Sequence, residues 1–527
     1  MTAAVQPPTE RPTERPTTDN AALWFSLTTG LAFVLYALTT APSITWAHYG
    51  ADGGELIAAA VVNGVPHPPG YPLYMLLLRA WLWLAGIIVP GSELAWRGNI
   101  LSALLGSLSV GVTSLVALAV APGRGRRWMV AGLVALAWTV SPLMWSQAVI
   151  TEVYALHALT IALLGWAVFV HPDRPWLLTP IAVLGMANHL TFLLLLPAAL
   201  YLAWTSAPRA YDDRRRRWRP LLAVALGLGI GALFYVRTPL VARVTPPPPV
   251  NWGYADNPAG FWWLVSGRAY RGYLFNVPSD QVFGRVAGWA NTLVMQLTPV
   301  GLGIALIGFA YWDQRTPQRR NFALLWILPI SLYAIVYYTR DSEIYLLPVS
   351  WLITILFGVG FVVVSDWVAA KMHRPGPLIP ASLAGVAAVG LLALLLWRYP
   401  SVSLRADHEA AQFLADATQV LPPGSIVVSG RDFETFALWY GAWGSGDLLA
   451  AAPDTVLVNY ALYQFDWYRR LMAARYPDVP GIDQSVQTLM AANATERPIF
   501  FSEKLDIVPE TSLSAVGPLW RYQPNAQ

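Results

Sequence analysis

Cysteine is absent from the 527 residues. That excludes disulfides, thiolate metal ligands and cysteine nucleophiles. Charge is scarce as well: Asp, Glu, Lys and Arg make up 12% of the chain, against 56% hydrophobic residues. A water-solvated globule of this size could not hide such an apolar load, so lipid must solvate much of it. The net charge of +4 is modest, and the arginines gather in short loops; this is a topology signal, and no nucleic-acid partner is expected. The start of the chain lacks the basic-then-apolar pattern of a cleaved signal peptide. Residues 1–20 are instead rich in Pro, Thr and charge, as expected of a disordered cytoplasmic tail. No period suggests an internal repeat.

What is present is a series of apolar runs, each roughly 17 to 25 residues long, the length a bilayer demands of a helix. They lie near 22–41, 71–89, 98–120, 128–143, 153–170, 177–205, 220–238, 290–311, 321–338, 346–366 and 378–397. The stretch 177–205 is too long for one helix and carries Asn188-His189 in its middle, so it reads as two short helices meeting at a polar break. Orientation follows from the basic loops: Arg124, Arg126 and Arg127; Arg209, Arg214 to Arg217 and Arg219; Arg315, Arg319 and Arg320; Lys371 and Arg374. The positive-inside rule assigns all of them to the cytoplasm. The simplest way for alternation to hold is that 71–89 does not cross but lies in or dips into the outer interface, turned there by Pro66, Pro68, Pro69 and Pro72. The expectation is a polytopic α-helical membrane protein of about eleven spans in the cell membrane, N-terminus inside and C-terminus outside. Residues 21–398 form its membrane domain, with an acidic first outer loop at 42–97. Residues 399–527 form a small extracytoplasmic α/β domain with buried strands at 425–428 and 455–458 and helices at 433–440 and 460–472.

The outer segments hold most of the polar residues near membrane depth. The first loop reads Trp46-Ala47-His48-Tyr49-Gly50-Ala51-Asp52-Gly53-Gly54-Glu55, and an apolar helix and His67-Pro68-Pro69-Gly70 follow. Asp52 and Glu55 share one face of a helix start. Two readings stay open: a paired acidic site, or a capping box in which Asp52 caps the helix and Glu55 completes it. Gln147, Glu152 and Tyr154 fall at the next outer turn, His189 at the broken span, and Arg340, Asp341 and Glu343 in a further outer turn. Ionisable groups at that depth are expensive and mark functional cavities. For Glu152 and His189 a structural polar contact explains them equally well, and Asp341 could simply pair with Arg340. Between residues 236 and 275 lie Arg237, Arg243, Asn251, Trp252, Trp262, Trp263, Arg268, Tyr270 and Arg271. An interfacial aromatic belt accounts for the rings. Arg237, Arg268 and Arg271 could equally clamp a lipid phosphate, because a guanidinium forks onto phosphate oxygens.

These residues, in this order, resemble a known family. The Asp-Gly-Gly-Glu loop, the His-Pro-Pro-Gly turn, Glu152-Val153-Tyr154, Asn188-His189 and Asn251-Trp252-Gly253 are similar to those of the transmembrane O-mannosyltransferases first catalogued as a domain of unknown function, within the GT-C glycosyltransferases. The likeness covers about residues 22 to 400, and Asp432 to Tyr440 with Asn459 to Tyr468 extend it. It implies a polyprenyl-phosphate-linked sugar as donor, mannose being the family's, and an extracytoplasmic glycan, lipid or protein as acceptor. It implies Asp52 as catalytic base with Glu55 as neighbour or substitute. The candidate substrate site draws on His67, Glu152, Tyr154, His189, Asn251 and Trp252 from the shared motifs, and on Arg237, Arg268, Arg271 and Asp341 from their place at the outer face. No cofactor is expected, and a divalent metal is not favoured because no dense carboxylate cluster is visible. A transporter or lipid flippase is the rival reading, since it too has broken helices and intramembrane charges. A membrane scaffold is the third. The missing repeat and the gathering of polar groups at one face favour a surface reaction.

Overall fold

The computed structural model describes residues 18–123, 126–206, 214–373 and 377–523. The tail expected at residues 1–20 falls almost wholly outside them, as do Arg124, Arg209 and Arg374 of the basic loops; for Arg214 to Arg217 only the backbone is described. Seven helices among the described residues are long and apolar enough to cross a bilayer: Asn20–Thr39, Leu94–Val120, Trp218–Ala242, Val282–Arg315, Pro317–Val336, Ser342–Lys371 and Leu378–Val402. Arg127–Thr139 and Pro142–Ala148, bent by 63° at Val140-Ser141, make an eighth if they serve as one span. The expected eleven spans are therefore corrected. Pro72–Ile88, Tyr154–Val170, Pro175–Asn188 and Leu190–Thr205 are apolar but shorter. At 1.5 Å per residue even a 17-residue helix rises only about 25 Å, short of a hydrocarbon layer of roughly 30 Å. The break read at Asn188-His189 is there. Asn188 ends one helix, His189 is extended, and a 3-10 turn (Leu190–Leu195) leads into the helix Leu196–Thr205.

The bundle has a defined centre. The span Ser342–Lys371 is 89% buried over its most apolar window and Leu94–Val120 is 78% buried, whereas Asn20–Thr39 and Leu378–Val402 are each 17% buried and face outward. Lipid tails are as apolar as leucine, so helices in a membrane associate through close packing and interhelical hydrogen bonds. Both occur here. Ser109 Oγ donates to the Ala158 carbonyl at 3.0 Å, and the Trp351 indole donates to Thr113 Oγ1 at 2.9 Å. Gly308 lies on the Leu356 carbonyl and Gly360 on the Ile304 carbonyl, so that a Cβ at either position would overlap backbone. The helix Val282–Arg315 is interrupted at Thr298-Pro299, where Thr298 has φ 67°. The buried Arg398 guanidinium donates to the carbonyls of Val140 (2.7 Å), Gln296 (3.3 Å) and Met295, supplying donors to the break.

The C-terminal domain is built on a five-stranded mixed sheet of order β2-β1-β3-β5-β4. Its strands are β1 (Ile426–Ser429), β2 (Val456–Asn459), β3 (Ile499–Phe501), β4 (Leu513–Val516) and β5 (Leu519–Tyr522). β1 runs parallel to β2 and β3, with Val427 opposite Leu457 and Phe500, while β5 is antiparallel to β3 and β4. The two strands expected from sequence are β1 and β2, displaced by one residue; every residue in them is buried, in the central β1 and in β2 at the edge of the sheet alike. The expected helices correspond to Asp432–Trp439 and Asp466–Arg475. The domain is fastened to the membrane helices at several points. The Trp46 indole donates to the Phe433 carbonyl (3.0 Å), Tyr440 bonds Glu93 and the Ala95 amide (3.3 Å), and Arg470 pairs with both carboxylate oxygens of Asp256.

Candidate active site: an acidic turn bridged by a histidine

The helix Asp52–Val61 begins after a tight turn in which His48 and Tyr49 both take positive φ (57° and 63°). Asp52 is the first helical residue, its predecessor Ala51 stands at the cap, and no side chain caps the turn. Glu55 turns both oxygens elsewhere, which removes the capping-box reading. A negative charge in a first turn is favoured by the helix dipole. Gly53 and Gly54 let this helix come very close to its neighbours: a Cβ on Gly53 would lie 3.1 Å from the Thr151 carbonyl oxygen, and one on Gly54 would lie 2.6 Å from the Phe436 carbonyl oxygen. The Asp52 helix is thus wedged between the bundle and the Asp432 helix of the C-terminal domain.

His67 joins the two acids. Glu55, fully buried, accepts the His67 backbone N–H on Oε1 at 3.2 Å and meets the ring Nδ1 with Oε2 at 2.5 Å. On the other side of the ring, Nε2 lies 3.1 Å from the Tyr71 hydroxyl and 3.6 Å from Asp52 Oδ2. The Asp52 side chain is 36% exposed, so of the two carboxylates it alone opens to the surroundings. The loop that carries His67 is pinned to the Asn-Trp-Gly stretch by strand-like bonds: Val65 N–H to the Val250 carbonyl (2.8 Å) and Trp252 N–H to the Val65 carbonyl (3.0 Å).

The electrostatics follow from this packing. Burial raises Asp52 to about 6; the charges of Glu55 and Asp341 add to the shift and His67 opposes it. Burial also raises Glu55, again against the pull of His67. For His67, burial alone would favour the neutral ring, but the Asp52 and Glu55 carboxylates outweigh it and carry the imidazole to about 10. Asp432, at the start of its helix, is raised to about 6 by its surroundings and by the Asp52 charge. A carboxylate that titrates near 6 and is ionised at neutral pH can accept a proton from a substrate hydroxyl.

The other residues expected from sequence divide into those near this triad and those away from it. Tyr154 and His189 are near: the His189 ring packs on Tyr154 (5.2 Å between centroids) and on Tyr71 (6.1 Å), and its Nδ1 bonds Thr191 at 2.7 Å. Glu152 is buried, close enough to act on His67 electrostatically, and accepts the Val153 N–H at 3.2 Å. Asp341 lies close enough to raise Asp52, and no ion pair with Arg340 is found among the described residues. The Trp252 ring is 6.3 Å from His67 and packs on Trp263 and Trp467, while Asn251 is buried with both amide atoms unpartnered. Arg237 is placed elsewhere. It bonds Asn63 Oδ1 at 2.8 Å, just past the far end of the ten-residue Asp52 helix, about 15 Å along the axis from Asp52. Arg268 and Arg271 are exposed on the turn Arg268–Tyr273, and Tyr270 between them sets its ring 6.5 Å from His67. Sequence reasoning did not assign Tyr71, Tyr345 or Asp432 to the site, and it read Tyr270 only as part of the interfacial belt. Tyr345 packs on Tyr154 and His189, and the three tyrosines complete an aromatic wall beside the acids. Among the described residues no group of three or more His, Cys, Asp or Glu is arranged to hold a metal ion.

Residues 52–210 match the family described as the protein O-mannosyl-transferase TMEM260 N-terminal domain. The chain is 23% identical over 462 residues to the mouse protein O-mannosyl-transferase TMEM260, covering 82% of this chain and 62% of that one. It is 26% identical over 330 residues to the Dictyostelium discoideum protein O-mannosyl-transferase tmem260, covering 57% and 38%. It therefore spans less than two thirds of the length of either relative. Among solved structures, it is similar to ArnT from Cupriavidus metallidurans bound to undecaprenyl phosphate, with TM-score 0.51 and 15% identity over 97% of this chain and 99% of that one. It is also similar to the apo Archaeoglobus fulgidus oligosaccharyltransferase, with TM-score 0.51 and 12% identity over 91% and 69%. At such identities the likeness is one of fold. The chain has a GT-C-like fold that resembles the TMEM260 O-mannosyltransferases.

Proposed function

We propose that this membrane protein is a glycosyltransferase that moves a sugar, mannose by its resemblance, from a polyprenyl-phosphate carrier to an acceptor hydroxyl on the extracytoplasmic face. The observation that carries the reading is Asp52: a half-open carboxylate at the head of a buried helix, flanked by an imidazole. The family match begins at that residue. Two further findings support the reading: the curated relatives are named O-mannosyl-transferases, and a protein of similar fold has been solved with undecaprenyl phosphate. The basic loops of the sequence support the outward orientation, with the cell membrane as its setting.

In this mechanism the acceptor hydroxyl, whose own pKa is far above neutrality, gives its proton to Asp52 as its oxygen attacks the anomeric carbon. The bond from that carbon to the phosphate oxygen breaks on the opposite face, and the carrier phosphate leaves with the electron pair. Configuration at the sugar inverts. Because the leaving group is already a stable anion, one carboxylate suffices, unlike the paired acids of glycoside hydrolysis. Guanidinium groups stabilise the departing phosphate. Arg268 and Arg271, flanking Tyr270, are better situated for this than Arg237, which sits at the other end of the helix. Tyr154, His189, Asn251 and Trp252 line or support the sugar side, and the Asp432 helix brings the C-terminal domain to the acceptor side. The test uses the purified full chain in detergent with polyprenyl-phosphate mannose and a peptide containing serine and threonine as acceptor, following release of polyprenyl phosphate. Asp52→Asn is expected to lower turnover by about 100-fold or more at unchanged melting temperature. Wild-type turnover in that variant would remove Asp52 from the chemistry.

A further inference from the structure

His67 is buried against two carboxylates, and the hydrogen positions this contact allows are limited. Its Nδ1 faces Glu55 Oε2 at 2.5 Å, a separation that needs a proton between them. With that proton on the ring, a neutral imidazole would aim the bare lone pair of Nε2 toward Asp52 Oδ2, 3.6 Å away; with it on Glu55 the ring would be neutral, which the two carboxylates around one imidazole disfavour. Only the doubly protonated ring offers N–H to both sides. Glu55 has no exposed surface and spends both oxygens on His67, one on its ring and one on its backbone. No substrate hydroxyl reaches it.

We propose that Glu55 is a positioning residue that keeps His67 doubly protonated, and that this fixed cation beneath Asp52 holds the Asp52 carboxylate in its ionised, proton-accepting form. The proposal rests on Asp52 being the base and replaces the expectation that Glu55 serves as a second one. The groups facing His67 from the elements around it are Asp52 and Glu55 on its own side of the bundle, Glu152 after the bent helix pair, Asp432 from the C-terminal domain, and the Tyr71, Tyr270 and His189 rings. Of these, Glu55 alone contacts Nδ1.

The sign of the effect is fixed by these contacts. Without Glu55 the imidazole loses its proton at a lower pH, and above that point Asp52 has no cation beside it. A buried carboxylate deprived of its cation holds its proton to higher pH. Removing the Glu55 charge also takes away a direct upward push on Asp52, but the pull of His67 on Asp52 is the larger of the two, so the acid limb of the rate profile moves upward in Glu55→Gln, by about one pH unit, and on that limb each unit is about tenfold in rate.

Two measurements on the full chain in detergent decide it. The first is nitrogen NMR of 15N-histidine, with the His67 signal assigned by its loss in His67→Gln. The ring is expected to stay doubly protonated from pH 6 to 9 in the wild type and to titrate inside that range in Glu55→Gln. The second is the pH dependence of polyprenyl-phosphate mannose consumption, where Glu55→Gln shifts the acid limb and Glu55→Asp, which keeps the charge, restores it in part. Titration of the wild-type ring near its ordinary pKa would overturn the proposal, and so would an unshifted acid limb in a Glu55→Gln variant that melts like wild type. If Glu55→Gln does not fold, the wild-type titration and the Glu55→Asp profile still decide. Activity in Asp52→Asn would instead overturn the assignment of the base, and the histidine titration would remain a separate result.

Discussion

Substituting Gly54 by valine tests whether the C-terminal domain is part of the site. A Cβ at this position would sit 2.6 Å from the Phe436 carbonyl oxygen, about 0.8 Å inside the 3.4 Å of ordinary contact. The obstructing atom is backbone in the middle of the helix Asp432–Trp439, so no side chain can rotate out of the way. Overpacking of this kind costs about 1–3 kcal/mol. Replacing glycine by valine within a helix returns only a few tenths of a kcal/mol, so the clash wins. The expected response is that the Asp432 helix lifts from the Asp52 helix and removes Asp432 from the neighbourhood of Asp52. Because the chain has no cysteine, two introduced cysteines in place of the exposed Tyr49 and Phe433 can carry spin labels. Their separation should lengthen and broaden in Gly54→Val, and donor consumption should fall about tenfold or more, the rate equivalent of 1.4 kcal/mol. Gly385→Val, in the outward-facing helix Leu378–Val402 at a position with nothing within 4 Å, is the control. An unchanged label distance together with unchanged turnover in Gly54→Val would refute the reasoning.

Other contacts make further predictions. Arg285 donates to the carbonyls of Ala334 (2.6 Å), Ile335 (3.2 Å), Tyr337 (2.8 Å) and Thr339 (3.1 Å), and so holds the turn before Asp341 and Tyr345. Arg285→Ala leaves those acceptors without their donor and should cost about 2–3 kcal/mol, read as a lowered melting temperature in detergent; an unchanged melt would show that the turn holds itself. The Arg470–Asp256 pair is about one-third exposed on each side and, as a two-oxygen contact, should contribute about 1 kcal/mol. A double-mutant cycle with Arg470→Gln and Asp256→Asn should find that coupling and find it weakened in high salt, whereas additive losses would deny it.

Much of the architecture could be read from the residues, and the exceptions have identifiable causes. Apolar length located the helices, but runs of similar apolar length fold both into helices long enough to cross and into shorter ones such as Tyr154–Val170. β1 and β2 announced themselves as unbroken apolar runs. β3 has only three residues, and β4 and β5 are partly exposed, so neither run length nor alternation marked them. In the site, Asp52, Glu55 and His67 were conspicuous because so little charge surrounds them. Their division of labour was not, since a capping box and a catalytic pair have the same spacing, and Glu55 chooses between them only through a partner twelve residues on. Tyr71 and Tyr345 were lost among 23 tyrosines, and Tyr270 passed for one more ring of the interfacial belt. Asp432 lies so far along the chain from Asp52 that only the docking of two domains brings them together.

The glycine contacts between the helices Val282–Arg315 and Ser342–Lys371 limit how a long lipid can enter. With Gly308 and Gly360 each resting on the opposing backbone, the two helices interlock like the teeth of a closed zip. Sliding by one turn would push side chains into main chain, and parting would give up close-range attraction that hydrocarbon cannot replace. This seam is a wall, and under the proposed function a carrier tail would thread into the bundle through some other gap in the ring.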